Sequence, residues 1–131
     1  MATESVLGSK KLVAFVPTLR ADRARAFYEG LLGLRLVKDE APFALVFDAN
    51  GTMLRVTIVH ELTPHPFTVL GWEVDDLEVV VERLTTGGIE FLRFPGMNDS
   101  DPHGIWNAPG GARIAWFKDP DGNVLSLTQF A

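Results

Sequence analysis

Arg55 interrupts the apolar run TMLRVTIV, and Ser126 and Thr128 stand in the run VLSLT. In a strand, alternate residues share a face, so these polar groups point one way while Leu54, Val56, Leu125 and Leu127 point the other. An arginine on such a face offers a fixed fork to a carboxylate or phosphate. It can equally close an internal ion pair, for which Glu73 in FTVLGWEV is the expected partner. Ser126 and Thr128 can hydrogen-bond a ligand or hold water. Lys11 adds a second cation at a strand end, placed either in an anion site or in solvent. Phe15, Trp106 and Trp116 suit stacking on a planar ligand, or a core or interface. Two residues suit proton transfer. Glu73 could act as a base if burial raises its pKa. His103 lies in the loop PGMNDSDPHGIWNAPGG (95–111), which could close as a lid, or form plain surface or a dimer contact. No pair among His60, His65 and His103 has zinc spacing on a helix. With no cysteine in the chain there is no thiolate ligand, disulfide or thiol nucleophile.

These side chains need elements to hold them. DRARAFYEGLLG (22–33) places Ala24, Phe27 and Leu31 on one helical face, with Asp22 as cap and Gly33 as stop. DDLEVVVERLTTGG (75–88) repeats Leu77, Val80, Val81 and Leu84 at helical spacing, with Asp75 and Glu78 as a capping box and Gly87 or Gly88 as stop. A strand precedes each helix, at 11–17 and 67–74. Three strand-like runs follow each: LRLVKDE, PFALVFDA and TMLRVTIV, then IEFLRF, ARIAWF and NVLSLTQF. The order is βαβββ twice.

The duplication shows in register. NGTMLRV overlays DGNVLSL, which sets Arg55 on Ser126, and VPTL (16–19) overlays VDDL (74–77). The second unit is longer, and the Gly/Pro-rich stretch 95–111 accounts for the extra chain. Duplicated units of this size bury their apolar faces together. The helix-covered faces are expected to hold Leu12, Ala14, Val16, Leu54, Val56, Ile58, Leu70, Trp72, Val74, Leu125 and Leu127. The opposite faces hold Lys11, Val13, Phe15, Met53, Arg55, Thr57, Val69, Gly71, Glu73, Val124, Ser126 and Thr128. A concave surface with apolar walls and a few polar groups is the ordinary form of a ligand pocket.

The chain of 131 residues is 47% hydrophobic, enough for one domain, and its net charge is −5. That balance argues against nucleic acid as a partner. No apolar run is long enough to span a bilayer, and MATESVLGSKK has no apolar signal core, so a cytoplasmic protein without a membrane partner is expected.

The segments LVAFVPTLRADRARAFYEGLLGL, GWEVDDLEVVVERLTTGGIEF and AWFKDPDGNVLSLTQ give the chain its identity as a fold. In these it resembles the vicinal oxygen chelate superfamily: glyoxalase I, bleomycin-resistance proteins and extradiol dioxygenases. The resemblance implies an α+β fold in which two βαβββ modules, 10–60 and 66–131 within a single domain 1–131, form an open, curled mixed sheet around a pocket. It also implies a homodimer. Metal-dependent members of that family hold a divalent ion with His, Glu or Gln from four strands. Carried over by motif, those positions fall on Lys11, Arg55, Val69 and Ser126. Lysine and arginine are cations, valine has no donor atom, and a neutral serine is a poor ligand alone. No metal cofactor is therefore expected. The leading expectation is a metal-free protein that binds a small organic, in part anionic, molecule. The alternative is a lyase-, isomerase- or dioxygenase-type enzyme with a displaced metal site or none. A third is an interaction module with a vestigial pocket. Bleomycin itself is cationic, which sets it against Arg55 and Lys11.

Overall fold

The computed structural model describes residues 5–131, so the first four residues of the polar N-terminal stretch lie outside it. Strand β1 (Val13–Thr18) leads into helix α1 (Ala21–Arg25), which continues as a π-helical turn over Ala26–Leu31. Strands β2 (Arg35–Glu40), β3 (Ala44–Ala49) and β4 (Thr52–Ile58) complete the first module. They form a four-stranded sheet in the order β1-β4-β3-β2, with β1 parallel to β4 and the other pairs antiparallel. The second module repeats this with β5 (Thr68–Glu73), α2 (Leu77–Thr86), β6 (Trp106–Asn107), β7 (Arg113–Lys118) and β8 (Val124–Gln129), in the order β5-β8-β7-β6. Neither sheet closes on itself, and the architecture is the α+β fold of two βαβββ modules.

The apolar strand faces behave as their period dictates. Val16, Leu54, Val56, Leu125 and Leu127 are buried, and they share one core cluster with Ala24, Phe27 and Tyr28 of the first helix and Leu77, Val81 and Leu84 of the second. Phe27 of the first module packs on Phe117 of the second, ring centres 6.3 Å apart. The helix-facing sides of the two sheets thus share one interior, which is why neither short module needs a core of its own.

Some local expectations are corrected. The first strand starts at Val13, so Leu12 lies ahead of it and is exposed rather than part of the core. The first helix does not start on an Asp22 cap: Arg20 occupies that position and forms a 2.9 Å ion pair with Asp22. Gly33 does end it, with φ of 78°. The second helix is capped one residue later than the capping box predicts, by Asp76, whose carboxylate accepts from the Val79 N–H. Gln129 Oε1 accepts from the Leu77 N–H at 2.9 Å and supplies a further cap from β8. The run IEFLRF is not a full strand. Only the Phe91–Phe117 bridge and the Leu92 N–H to Trp116 carbonyl bond form, because the chain turns away at Pro95 and Gly96. The edge beside β7 is instead completed by Trp106 and Asn107. Among the described residues no helix is long and apolar enough to cross a membrane.

Candidate ligand-binding site

The faces turned away from the shared core carry the residues of interest. On the first sheet one cross-strand row runs Phe15, Arg55, Val46, Lys38, and the next runs Pro17, Thr57, Ala44, Glu40. Arg55 reaches diagonally over β3: its Nη2 donates to Oε1 of Glu40 at 2.8 Å. Lys38 Nζ lies 3.4 Å from Oε2 of the same carboxylate. Glu40 is held below the ordinary carboxylate range, first by the hydrogen bond from Arg55 and then by that from Lys38. Phe15 is 61% exposed beside Arg55, with Val13 and Met53 also open to solvent. This is an apolar floor with a charged triad at one side.

On the second sheet the rows are Gly71, Ser126, Trp116 and then Glu73, Thr128, Ile114, Trp106. Gly71 gives Ser126 its room: a Cβ at Gly71 would lie 2.6 Å from the Ser126 Oγ. Trp116 meets Trp106 at 6.0 Å and Phe94 edge-on at 5.5 Å. Ser126 and Thr128 therefore sit beside a half-exposed aromatic cluster, in an arrangement that can receive a flat, apolar group.

The structure brings Ser126, Thr128 and Trp106 together with Trp116 on one sheet, and Phe15 with Arg55 on the other. Lys11 precedes β1, is exposed, and lines a cavity of about 240 Å³ with Val13, Met53, Val46 and Arg35, at the β1-start end of the face that carries Phe15 and Arg55. Glu73 is not the partner of Arg55: that partner is Glu40, and Glu73 stands exposed at the end of β5. At that exposure it lacks the burial on which a role as base depends. His103 lies at a different place again. Its Nε2 is 3.1 Å from Glu82 Oε1 on α2, and it lines a cavity of about 730 Å³ between that helix and the 95–111 loop. The loop is pinned rather than free to act as a lid. Asn98, 1% exposed, donates to the Leu92 and Gly104 carbonyls and accepts from the Phe94 N–H. Arg93 donates to the carbonyls of Asn98, Asp99, Asp101 and Pro102. His65 stacks on Phe67 in the link between modules, and His60 is exposed nearby.

The donor set expected of a divalent ion does not fit here. Arg55 is a cation already paired, Lys11 is solvated, and Val69 has no donor and occupies a bulge between Thr68 and Leu70. Ser126 is the one oxygen left, and a lone neutral hydroxyl does not hold a divalent ion. Among the described residues no three His, Asp or Glu side chains converge as metal ligands.

Sequence reasoning missed Glu40 and Lys38, and it missed the function of the D-P-D-G-N turn as a latch between modules. Asp121 accepts from the Thr18 hydroxyl at 2.6 Å and the Leu19 N–H at 2.8 Å, and Asn123 Nδ2 donates to the Pro17 carbonyl at 2.9 Å.

A duplicated βαβββ fold with an open polar face and a D-P-D-G-N latch defines a class. The chain belongs to the Glyoxalase/Bleomycin resistance protein/Dioxygenase superfamily, whose family model matches residues 12–127. Among solved structures it is similar to a glyoxalase family protein from Bacillus anthracis, with 15% identity, a TM-score of 0.77, and 99% and 100% of the two chains covered. It is also similar to TnmS3, an antibiotic binding protein from Streptomyces sp. CB03234, with 24% identity, a TM-score of 0.68, and 94% and 98% covered. A lactoylglutathione lyase from Agrobacterium tumefaciens matches at 18% identity and a TM-score of 0.70 over 92% and 93% of the chains. At these identities the likeness is one of fold. No curated protein matches the chain significantly.

Proposed function

We propose that the chain is a metal-independent, cytoplasmic binder of small organic molecules that combine a flat apolar part with an anionic group. The observation that carries this reading is Arg55. By the motif resemblance it falls at a metal-ligand position of metal-dependent relatives; in the structure it is half-buried beside exposed Phe15, with a single hydrogen bond, to Glu40, from its guanidinium among the described residues. The Trp106, Trp116 and Phe94 cluster supplies the apolar counterpart, with Ser126 and Thr128 as polar neighbours. An antibiotic binding protein among the structural neighbours accords with a binding role.

In this reading the binder works as a homodimer. Both ligand-facing surfaces point away from the shared core, and they are too apolar to stay open: Phe15, Val13, Met53 and Val69 are all exposed. Contiguous patches of this kind mark interfaces in soluble proteins. A second copy would set one chain's Arg55 face against the other's Trp116 face.

The test is a thermal-shift and calorimetric screen of aromatic carboxylates, with and without a chelator. The expected result is binding that the chelator leaves intact and that R55Q weakens by about tenfold or more, the range of a charge-assisted hydrogen bond. Tightly held, near-stoichiometric metal in the purified protein would overturn the metal-independent reading. Sedimentation should show a dimer that F15D dissociates.

A further inference from the structure

Glu40 lies between two cations. Its Oε1 is 2.8 Å from Arg55 Nη2, and its Oε2 is 3.4 Å from Lys38 Nζ. Arg55 and Glu40 are each 29% exposed at the side chain, so the pair is neither sealed in nor fully solvated. Between them on the same face lie Val46 and Ala44, both buried. The arginine therefore lies along the sheet rather than standing up from it. A guanidinium has five N–H donors, and a single hydrogen bond engages that of Arg55 among the described residues. The remaining donors can serve an incoming anion, but the Glu40 charge sits next to the place where that anion must arrive.

We propose that Glu40 is a specificity-determining residue: a built-in counter-anion of Arg55 that a ligand's carboxylate, sulfonate or phosphate must share or displace. The inference rests on the reading of Arg55 as the ligand's anion partner. Its consequence is selectivity. A small inorganic anion brings only charge and meets the Glu40 charge in return. An aromatic anion also brings apolar surface to Phe15, Val13 and Met53 on the same face, and that burial supplies the difference. Since Arg55 and Lys38 hold the Glu40 carboxyl below its ordinary range, the counter-anion stays charged throughout the neutral range.

The experiment titrates the full chain with anilinonaphthalene sulfonate, an aromatic anion, and with N-phenyl-naphthylamine, its uncharged counterpart, both read by fluorescence. E40Q keeps a hydrogen-bond acceptor for Arg55 and removes the charge. E82Q removes the same charge from the outer side of α2 and serves as the control for net charge. One unit charge about 3–4 Å away, screened as in water at this solvent-exposed face, is worth about fivefold to tenfold in a binding constant. E40Q should tighten the sulfonate by about that factor and leave the uncharged probe unchanged, with E82Q like wild type. The gain should shrink as salt screens the charge. If R55Q weakens the sulfonate while E40Q changes nothing or weakens it, the binding reading stands and the proposal for Glu40 falls. If R55Q has no effect, or neither probe binds, both fall together.

Discussion

Tyr28 donates its hydroxyl hydrogen to Oδ2 of Asp119 across 2.7 Å, and both residues are almost wholly buried. The tyrosine belongs to the first module's helix and the aspartate to the turn between β7 and β8. Asn123 Nδ2 donates to the same carboxylate oxygen, and the N–H groups of Asp121 and Asn123 donate to Oδ1. With Asp121 on Thr18 and Asn123 on Pro17, this turn ties the second module to the end of β1. The specific family motif in the sequence is therefore structural in its effect, because it ties the second module's turn to the end of β1.

Removing the tyrosine hydroxyl should loosen this latch. Y28F leaves Asp119 with three donors, so the expected loss is about 1–2 kcal/mol, within the range for a buried hydrogen bond to a charged group. Urea unfolding at neutral pH measures it. Burial holds the Asp119 carboxyl above its ordinary range, against the Asn123 and Tyr28 donors that pull it down. Y28F should raise it further. The Tyr28 contribution is therefore present above that pKa and lost as pH falls through it, and the gap between Y28F and wild type should narrow in acid. A gap that widens in acid would refute this account.

Glu40 and Asp119 should differ in sign. Glu40 has its pKa lowered below 4.5 in the fold, so the unfolded chain binds its proton first and the contribution of Glu40 to stability is lost as pH falls through the lowered value. Asp119 has its pKa raised above 3.8, so its contribution is fully present in acid and lost as pH rises through the raised value. Stability measured against pH for E40Q and D119N, each relative to wild type, should show opposite slopes in the acid range.

Glu40 also shows where the sequence stopped being legible. The order of elements, both helices, the apolar faces and the duplication all follow from period and turn chemistry. Alternation counted from Leu36 would send Lys38 and Glu40 toward the core. The structure inserts a bulge between Leu36 and Lys38, so Leu36 pairs with core residue Phe47 while Lys38 and Glu40 pair with Val46 and Ala44 on the open face. A bulge adds one residue and reverses every side chain beyond it. Nothing in RLVKDE marks the insertion. The same event at Val69 breaks the alternation of β5. The short β6 was hidden for another reason: two residues carry no period, and the edge they complete is set by where the pinned 95–111 loop returns.

The closeness of Gly71 and Ser126 predicts a coupled pair. Gly71 has no need of a left-handed backbone; what it provides is space. An alanine there would bring its Cβ to 2.6 Å from the Ser126 Oγ and 3.3 Å from the Ser126 carbonyl. G71A should destabilise by about 1–3 kcal/mol, the usual cost of overpacking. S126A removes the closer clash, so the double variant should recover part of the loss, and the carbonyl contact should keep the recovery incomplete. A double-mutant cycle by urea unfolding reads the coupling. Strict additivity would mean that the serine side chain moves aside without cost.

Asn98 holds the 95–111 loop, and its loss should free the loop and disturb the Phe94, Trp106 and Trp116 cluster that the loop helps to build. Its side chain makes three hydrogen bonds, two as donor at 2.9 and 2.7 Å and one as acceptor at 2.7 Å, from a site that is 1% exposed. Each such bond contributes about 1 kcal/mol net, and N98A leaves the Leu92 and Gly104 carbonyls and the Phe94 N–H to find water. Arg93 still grips the loop from outside through four carbonyls. The expected result is local opening ahead of global unfolding: faster hydrogen exchange and proteolysis within 95–104, at a smaller change in the global transition. N98A and R93Q together should release the loop fully. Phe94 leans on Trp116, so release should also alter tryptophan fluorescence. If both variants leave exchange in the loop at the wild-type rate, the loop is held by its backbone turns, and the role given to Asn98 is wrong.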